Sequence, residues 1–169
     1  SRDRYPETDT GPIQQQSYTD KVSPHPGQNI LLNEDETAAP IIANALLDNA
    51  NRYYELHQYA EAIATYEQLI AADVKFQVPQ SNLARLLATC PEDRFRDGPR
   101  AVRLATEAYV RSNKTDWKLM CIVAAAFAET GVFTSARYWA YKARHTPSSD
   151  NAAVDAMLAQ FRMQKPCRW

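Results

Sequence analysis

The sequence predicts an all-α fold of short helices, and three observations carry that expectation. The 169 residues include 26 alanines, all after Thr37, and only four glycines, a composition that favours helix and leaves few residues for tight β-turns. From Ile41 onward, apolar residues recur at spacings of three and four, the signature of one buried helix face. Breakers and capping residues interrupt that pattern at intervals suited to short helices. At 45% hydrophobic and 23% charged residues, the chain has enough apolar material for one core.

Residues 1–40 read differently. They hold five of the ten prolines and the triplet Gln14-Gln15-Gln16, with no aliphatic run except Ile30-Leu31-Leu32, so they cannot build a core alone. Seven acids and three bases give this stretch a charge of −4, whereas 13 acids and 16 bases give residues 41–169 a charge of +3. The expectation is an extended, irregular acidic tail lying on a folded surface, its own or a neighbouring copy's. Tyr18, Ile30, Leu31 and Leu32 would be its apolar anchors.

The domain that follows, residues 41–169, is predicted to contain helices at about 41–56, 59–72, 79–90, 99–112, 116–130, 133–145 and 149–163. Pro79 and Pro99 fall where first-turn prolines are tolerated. Asp116 and Ser149 are placed as N-caps, and Gly131 is placed to end a helix in the left-handed conformation. In the last helix Val154, Met157, Leu158 and Phe161 share one face, as expected of an element that covers the apolar end of a stack.

An internal repeat emerges when the second helix of each pair is aligned on one alanine: Ala62, Ala101 and Ala136. Tyr59-Ala60-Glu61-Ala62 in the first unit matches Phe133-Thr134-Ser135-Ala136 in the third. The preceding helices place Ala50, Ala84 and Ala124 where two helices approach closely, with Tyr53, Leu87 and Phe127 beside them. Ala101 lies 39 residues after Ala62 and 35 before Ala136, so the middle unit carries extra length, which falls in the loop Cys90–Pro99.

This pattern resembles the tetratricopeptide repeat (TPR), a helix-turn-helix unit of about 34 residues. The stretch Leu87-Ala88-Thr89-Cys90-Pro91 followed by Arg96-Asp97-Gly98 is similar to a long-loop variant found in bacterial TPR proteins. The resemblance implies a solenoid of about three repeats, near 41–76, 77–113 and 114–148, with a capping helix near 149–163. It also implies a concave groove lined by the first helices of successive units. Projecting the helical period places Asn44, Leu47, Asn51, Tyr54, Ser81, Arg85, Thr89, Lys118 and Cys121 there, with Ala88 and Ala125 among them. Arg85 and Lys118 could receive a carboxylate and Asn51 could bond a peptide backbone, but the set does not amount to the carboxylate clamp of chaperone-binding members.

Chemical signatures are missing elsewhere. His25, His57 and His145 fall in the tail, a turn and a helix end, which implies no nucleophile or metal constellation. Gly11, Gly27, Gly98 and Gly131 form no phosphate-cradling loop. Cys90, Cys121 and Cys167 lie outside any metal-binding spacing, cannot all pair within the chain, and in the first two cases read as small buried hydrophobes. No enzyme and no cofactor are therefore expected. The near balance of 19 bases against 20 acids disfavours nucleic acid, and no apolar run approaches the roughly 20 residues of a membrane span.

Three further features stay open at this level. Arg94, Arg96, Arg100 and Arg103 cluster around Phe95, either for local pairing with Glu92, Asp93 and Asp97 or for an acidic partner. Asn113-Lys114-Thr115 matches the N-glycosylation pattern. Trp169 either folds back on the last helix or meets another chain. The opening Ser1-Arg2-Asp3-Arg4 favours processing and export to a periplasmic or extracellular location, while the odd number of thiols favours the cytoplasm. The function expected is a non-catalytic protein–protein interaction module. In one form it is a self-assembling structural subunit, a homo-oligomer or filament whose tail docks on the next copy. The other is an adaptor in a larger complex that binds extended peptides in its groove.

Overall fold

Local chemistry accounts for most of the boundaries in the computed structural model, which describes residues 34–72 and 77–169. The elements are α1 (Glu34–Glu55), α2 (Tyr59–Ala71), α3 (Gln77–Thr89), α4 (Gly98–Arg111), α5 (Trp117–Glu129), α6 (Phe133–Arg144) and α7 (Asn151–Arg162). One 3-10 turn, Asp93–Phe95, interrupts the long loop, and no strand occurs among the described residues. The tail anchors Tyr18, Ile30, Leu31 and Leu32 lie outside the described residues.

Six helices start and stop within two residues of the positions read from the sequence, and α1 is the exception. It starts at Glu34, inside the stretch assigned to the tail, and contains Pro40. A proline removes one i→i−4 bond and crowds the preceding turn, at about 3 kcal/mol in a helix interior, which is why the sequence marks a boundary there. The helix nonetheless runs through it.

Carboxylates cap three helices. Asp97 accepts from the Arg100 amide at 3.0 Å, Asp116 from the Lys118 amide at 2.8 Å and Asp150 from the Ala153 amide at 3.2 Å. Asp150 thus takes the role expected of Ser149. The Ser149 hydroxyl instead donates to the Arg144 carbonyl at 3.1 Å, closing the turn between α6 and α7.

The hairpins share one closure. In α1–α2 the Gln58 amide donates to the Tyr53 carbonyl at 2.9 Å; in α5–α6 the Val132 amide donates to the Phe127 carbonyl at 2.9 Å. Gln58 (φ −85, ψ 67) and Val132 (φ −87, ψ 68) have nearly the same backbone, and each follows a left-handed residue, His57 (φ 60) or Gly131 (φ 77). Glycine accepts that conformation without a Cβ clash, whereas His57 is strained there. The long loop reaches the same end by another route. The Asp97 amide donates to the Leu87 carbonyl at 3.0 Å, so five additional residues are looped out and the second helix still enters at the equivalent position. In all three hairpins the next bond runs from the aligned alanine, Ala62, Ala101 or Ala136, to the carbonyl of Gln58, Asp97 or Val132.

Packing follows chain order: each helix contacts the next, and α3 also packs on α5. These two are buried nearly all round, α5 through an almost wholly apolar sequence and α3 although it carries Gln80, Ser81 and Thr89, all buried. Ala50, Ala62, Ala84, Ala101, Ala124 and Ala136 have no exposed surface. Val154, Met157, Leu158 and Phe161 of α7 are buried, and Arg144 ties α6 to α7 through Asp155 at 2.6 Å.

Enlarging one of these contact points tests the packing. Ala84→Leu or Ala124→Leu is expected to cost about 1–3 kcal/mol by overpacking. Ala159→Leu, on the exposed side of α7, should change stability by less than about 0.5 kcal/mol. Urea unfolding monitored by circular dichroism provides the comparison.

Candidate functional site

Three helices contribute to one concave face. Ser81, Asn82 and Arg85 from α3, Trp117, Lys118 and Cys121 from α5, and Ala153, Met157 and Gln160 from α7 line a cavity of about 600 Å³. Asp116, Cys167 and Trp169 are also part of its lining. The volume lies in the range of ligand-sized clefts, and the lining is mainly apolar with a few cationic groups.

Of the residues projected onto a groove, Ser81, Arg85, Lys118 and Cys121 meet in this cavity. Arg85 lies over the Tyr54 ring at 4.9 Å, and its Nε is buried with no hydrogen-bond partner among the described residues. Lys118 is exposed, 5.9 Å from the Trp117 ring. Asn51 is engaged within the scaffold: its Oδ1 accepts from the Tyr66 hydroxyl at 2.7 Å and from Asn82 Nδ2 at 2.9 Å, joining α1, α2 and α3. Asn44 is exposed and Leu47 is half-buried against the core. Thr89, Ala88 and Ala125 are fully buried, so their side chains are not available on an open face. The Thr89 hydroxyl donates to the Arg85 carbonyl at 2.8 Å.

One wall of the face is the chain's own segment Lys165–Trp169. Gln164 (φ 54) turns the backbone after α7, and the Lys165 amide returns to the Gln160 carbonyl at 3.0 Å. Cys167 is then buried, the Trp169 amide donates to the Thr89 carbonyl at 3.2 Å, and the Tyr54 hydroxyl donates to the Trp169 carbonyl oxygen at 3.0 Å. Trp169 therefore goes past the last helix, one of the two destinations read from the sequence, and bonds to α3 and α1.

Glu129, at the end of α5, fastens both this segment and the long loop. Arg96 donates to Glu129 Oε1 at 2.9 Å, and Arg168 Nη1 lies 2.8 Å from Oε2. The second contact is an ion pair without hydrogen-bond alignment, since Oε2 has no hydrogen-bond partner and the same Arg168 nitrogen donates to the Cys167 carbonyl at 2.6 Å. The Glu129 and Arg96 side chains are 13% and 14% exposed, so the pair is shielded from water far more than an ordinary surface bridge. Sequence reasoning passed over Glu129. Its signal was an acid at the C-terminal end of an apolar helix, where the helix dipole disfavours negative charge and a cationic partner is needed.

Three of the four clustered arginines are paired. Arg96 pairs with Asp93 and donates to the Cys90 carbonyl at 2.9 Å, Arg94 pairs with Glu92 at 2.8 Å, and Arg100 with Glu67 at 2.7 Å. Arg103 is exposed. Asp97 acts as the cap of α4, a role not read from the sequence. Gly98 lets α4 approach the end of α5: a Cβ there would stand 2.9 Å from Thr130 Cγ2 and 3.2 Å from the Thr130 amide nitrogen.

The three cysteines are free and buried. Burial pushes the Cys121 thiol up to about 12 and Cys167 up to about 11, with Arg168 partly opposing the second shift, and it raises Cys90 as well. These are neutral thiols at neutral pH, and no histidine lines the cavity. Asn113 is exposed at φ 59 in the turn between α4 and α5. Among the described residues no cluster of three or more His, Cys, Asp or Glu side chains is placed to hold a metal, and no helix is long and apolar enough to cross a membrane. No protein-family model matches the sequence, and no curated protein matches it.

Two outcomes follow from these contacts. Glu129→Gln keeps the shape but leaves Arg96 and Arg168 facing a neutral amide, at a cost of about 1–3 kcal/mol; the urea midpoint reads it. The thiols carry a pH dependence of definite sign. An unfolded chain releases their protons near pH 9, whereas the folded chain keeps those of Cys167 and Cys121 until about 11 and 12. Their contribution to stability is thus intact below pH 9 and is lost as pH rises toward those values. Urea midpoints from pH 8 to 11 should fall less steeply in Cys121→Ala than in the wild-type chain.

Proposed function

We propose that the chain is a non-catalytic protein–protein interaction module of the TPR type, and that it serves as a self-assembling structural subunit. One observation carries the reading. Three helical hairpins close with the same backbone bond, onto Tyr53, Leu87 and Phe127, and each is followed by a fully buried alanine. Serial packing of the helices, with α3 against α5, supports a stack in which α3, α5 and α7 share a face. That face offers apolar surface and cations, with neutral thiols, no histidine, and a carboxylate, Asp116, that is engaged as the cap of α5, which favours binding over chemistry.

Assembly through the tail rests on apolar residues rather than on charge: with Glu34, Asp35 and Glu36 in α1, residues 1–33 hold four acids and three bases, and Tyr18, Ile30, Leu31 and Leu32 are the anchors they offer to a neighbouring copy. A head-to-tail contact of that kind gives a ring where rotation closes and a filament where it does not. The adaptor reading draws on the cavity itself, because a mixed, mainly apolar cleft suits an extended peptide from a different protein.

Light scattering separates the two. Self-assembly predicts a mass that rises with concentration above the 19.1 kDa of one chain. Removing residues 1–33, which stops short of α1, should return the chain to monomer with unchanged far-ultraviolet circular dichroism. Oligomers that survive the deletion would refute tail docking, and a full chain that stays monomeric at all concentrations favours the adaptor.

A further inference from the structure

The attachment of Lys165–Trp169 has the chemistry of a bound peptide. Trp169 uses both backbone groups on different helices, giving its amide to the Thr89 carbonyl of α3 at 3.2 Å and accepting at its carbonyl from the Tyr54 hydroxyl of α1 at 3.0 Å. Paired main-chain bonds of this sort recognise an extended segment whatever its sequence. Side chains then add selectivity. Cys167, 2% exposed, fills a small apolar site, and Arg168 answers the Glu129 carboxylate at 2.8 Å. The indole of Trp169 borders the cavity, beside the space that α3, α5 and α7 leave empty.

The last two residues of the segment are also partly open to solvent. Arg168 is 33% exposed and its contact with Glu129 is not an aligned hydrogen bond, and Trp169 is 49% exposed. A stretch held by one backbone–backbone bond, one tyrosine hydroxyl, one buried thiol and one ion pair can be exchanged for a competitor making the same contacts and reaching further into the cavity.

We infer that Lys165–Trp169 is an intramolecular ligand covering one side of the α3–α5–α7 face. Its competitor is a partner peptide of the same chemistry: a small apolar residue, then a base, then an aromatic. This rests on reading the face as a peptide-binding surface. Occupancy by the chain's own segment lowers apparent affinity for such a partner by the fraction of molecules in which the face is covered.

The full chain and one charge reversal test it. Arg168→Glu sets two carboxylates against each other at Glu129 and should release the segment. Alkylation with iodoacetamide, located by mass spectrometry, is expected to modify Cys167 at least tenfold faster in Arg168→Glu than in the wild-type chain. Cys90, fully buried, should stay protected in both and reports that the fold is intact. The binding probe is a fluorescein-labelled peptide of residues 163–169 with alanine in place of the cysteine. By anisotropy it should bind Arg168→Glu at least tenfold more tightly than wild type. Added in excess to the wild-type chain, the unlabelled peptide should speed the modification of Cys167.

Cys167 modified at the wild-type rate in Arg168→Glu, or equal peptide affinity for the two chains, overturns the inference while leaving the interaction-module reading in place. Released Cys167 with no peptide binding overturns it by showing that the segment is packing rather than ligand. Tight binding by a chain that light scattering shows to be monomeric supports the inference and removes only self-assembly.

Discussion

The distance between neighbouring helices is the constraint from which the rest of the structure follows. Helix axes pack about 8–10 Å apart, and the side chain at the contact decides where in that range a pair settles. Here Ala50, Ala62, Ala84, Ala101, Ala124 and Ala136 are all without exposed surface, each enclosed by packed neighbours. Methyl-sized contacts draw the backbones together, and larger groups then fit only beside them. Tyr66 and Phe161, both fully buried, occupy such positions. Burying an aromatic of that size contributes about 1.5–3 kcal/mol, so the small residues set the geometry and the large ones supply much of the stabilisation.

Close approach alone does not fix how a hairpin enters its neighbour; the shared closure onto Tyr53, Leu87 and Phe127 does. A backbone bond is indifferent to side chains, which explains how His57 and Gly131 serve in equivalent turns and how the long loop reaches the same end. The long loop does need added support. It leaves Arg96 only 14% exposed, and the Glu129 carboxylate from α5 supplies the counter-charge. Gly98 allows α4 to come near enough to α5 for that pairing. Loop length, the glycine and the acid are parts of one solution, since each would be strained or unpaired without the others.

Features governed by local periodicity and small-residue spacing were legible in the sequence. The helices after α1, the left-handed Gly131, the Asp116 cap and the apolar face of α7 depend on residues within a few positions of one another. The start of α1 was not legible, because Pro40 disfavours helix locally and yet is accommodated. The cavity was legible in part. Arg85, Lys118 and Cys121 came from the helical period, but Thr89 and Asn51 proved to be engaged inside the molecule. Glu129 with Arg168 escaped altogether, because nothing in a periodic pattern relates the end of α5 to a residue beyond α7.

That last relation bears on what the face can bind. An open groove in water is solvated by its own polar groups, and a ligand must displace that water before any contact counts. Part of this face is already desolvated by Cys167, and Thr89 is already bonded to Trp169. On the proposed peptide-binding reading, a competitor exchanges protein contacts for protein contacts and gains chiefly from what it adds in the adjoining cavity. Selectivity on that reading lies with Arg85 and Lys118 around the cavity, while the segment near Glu129 sets the threshold for a partner.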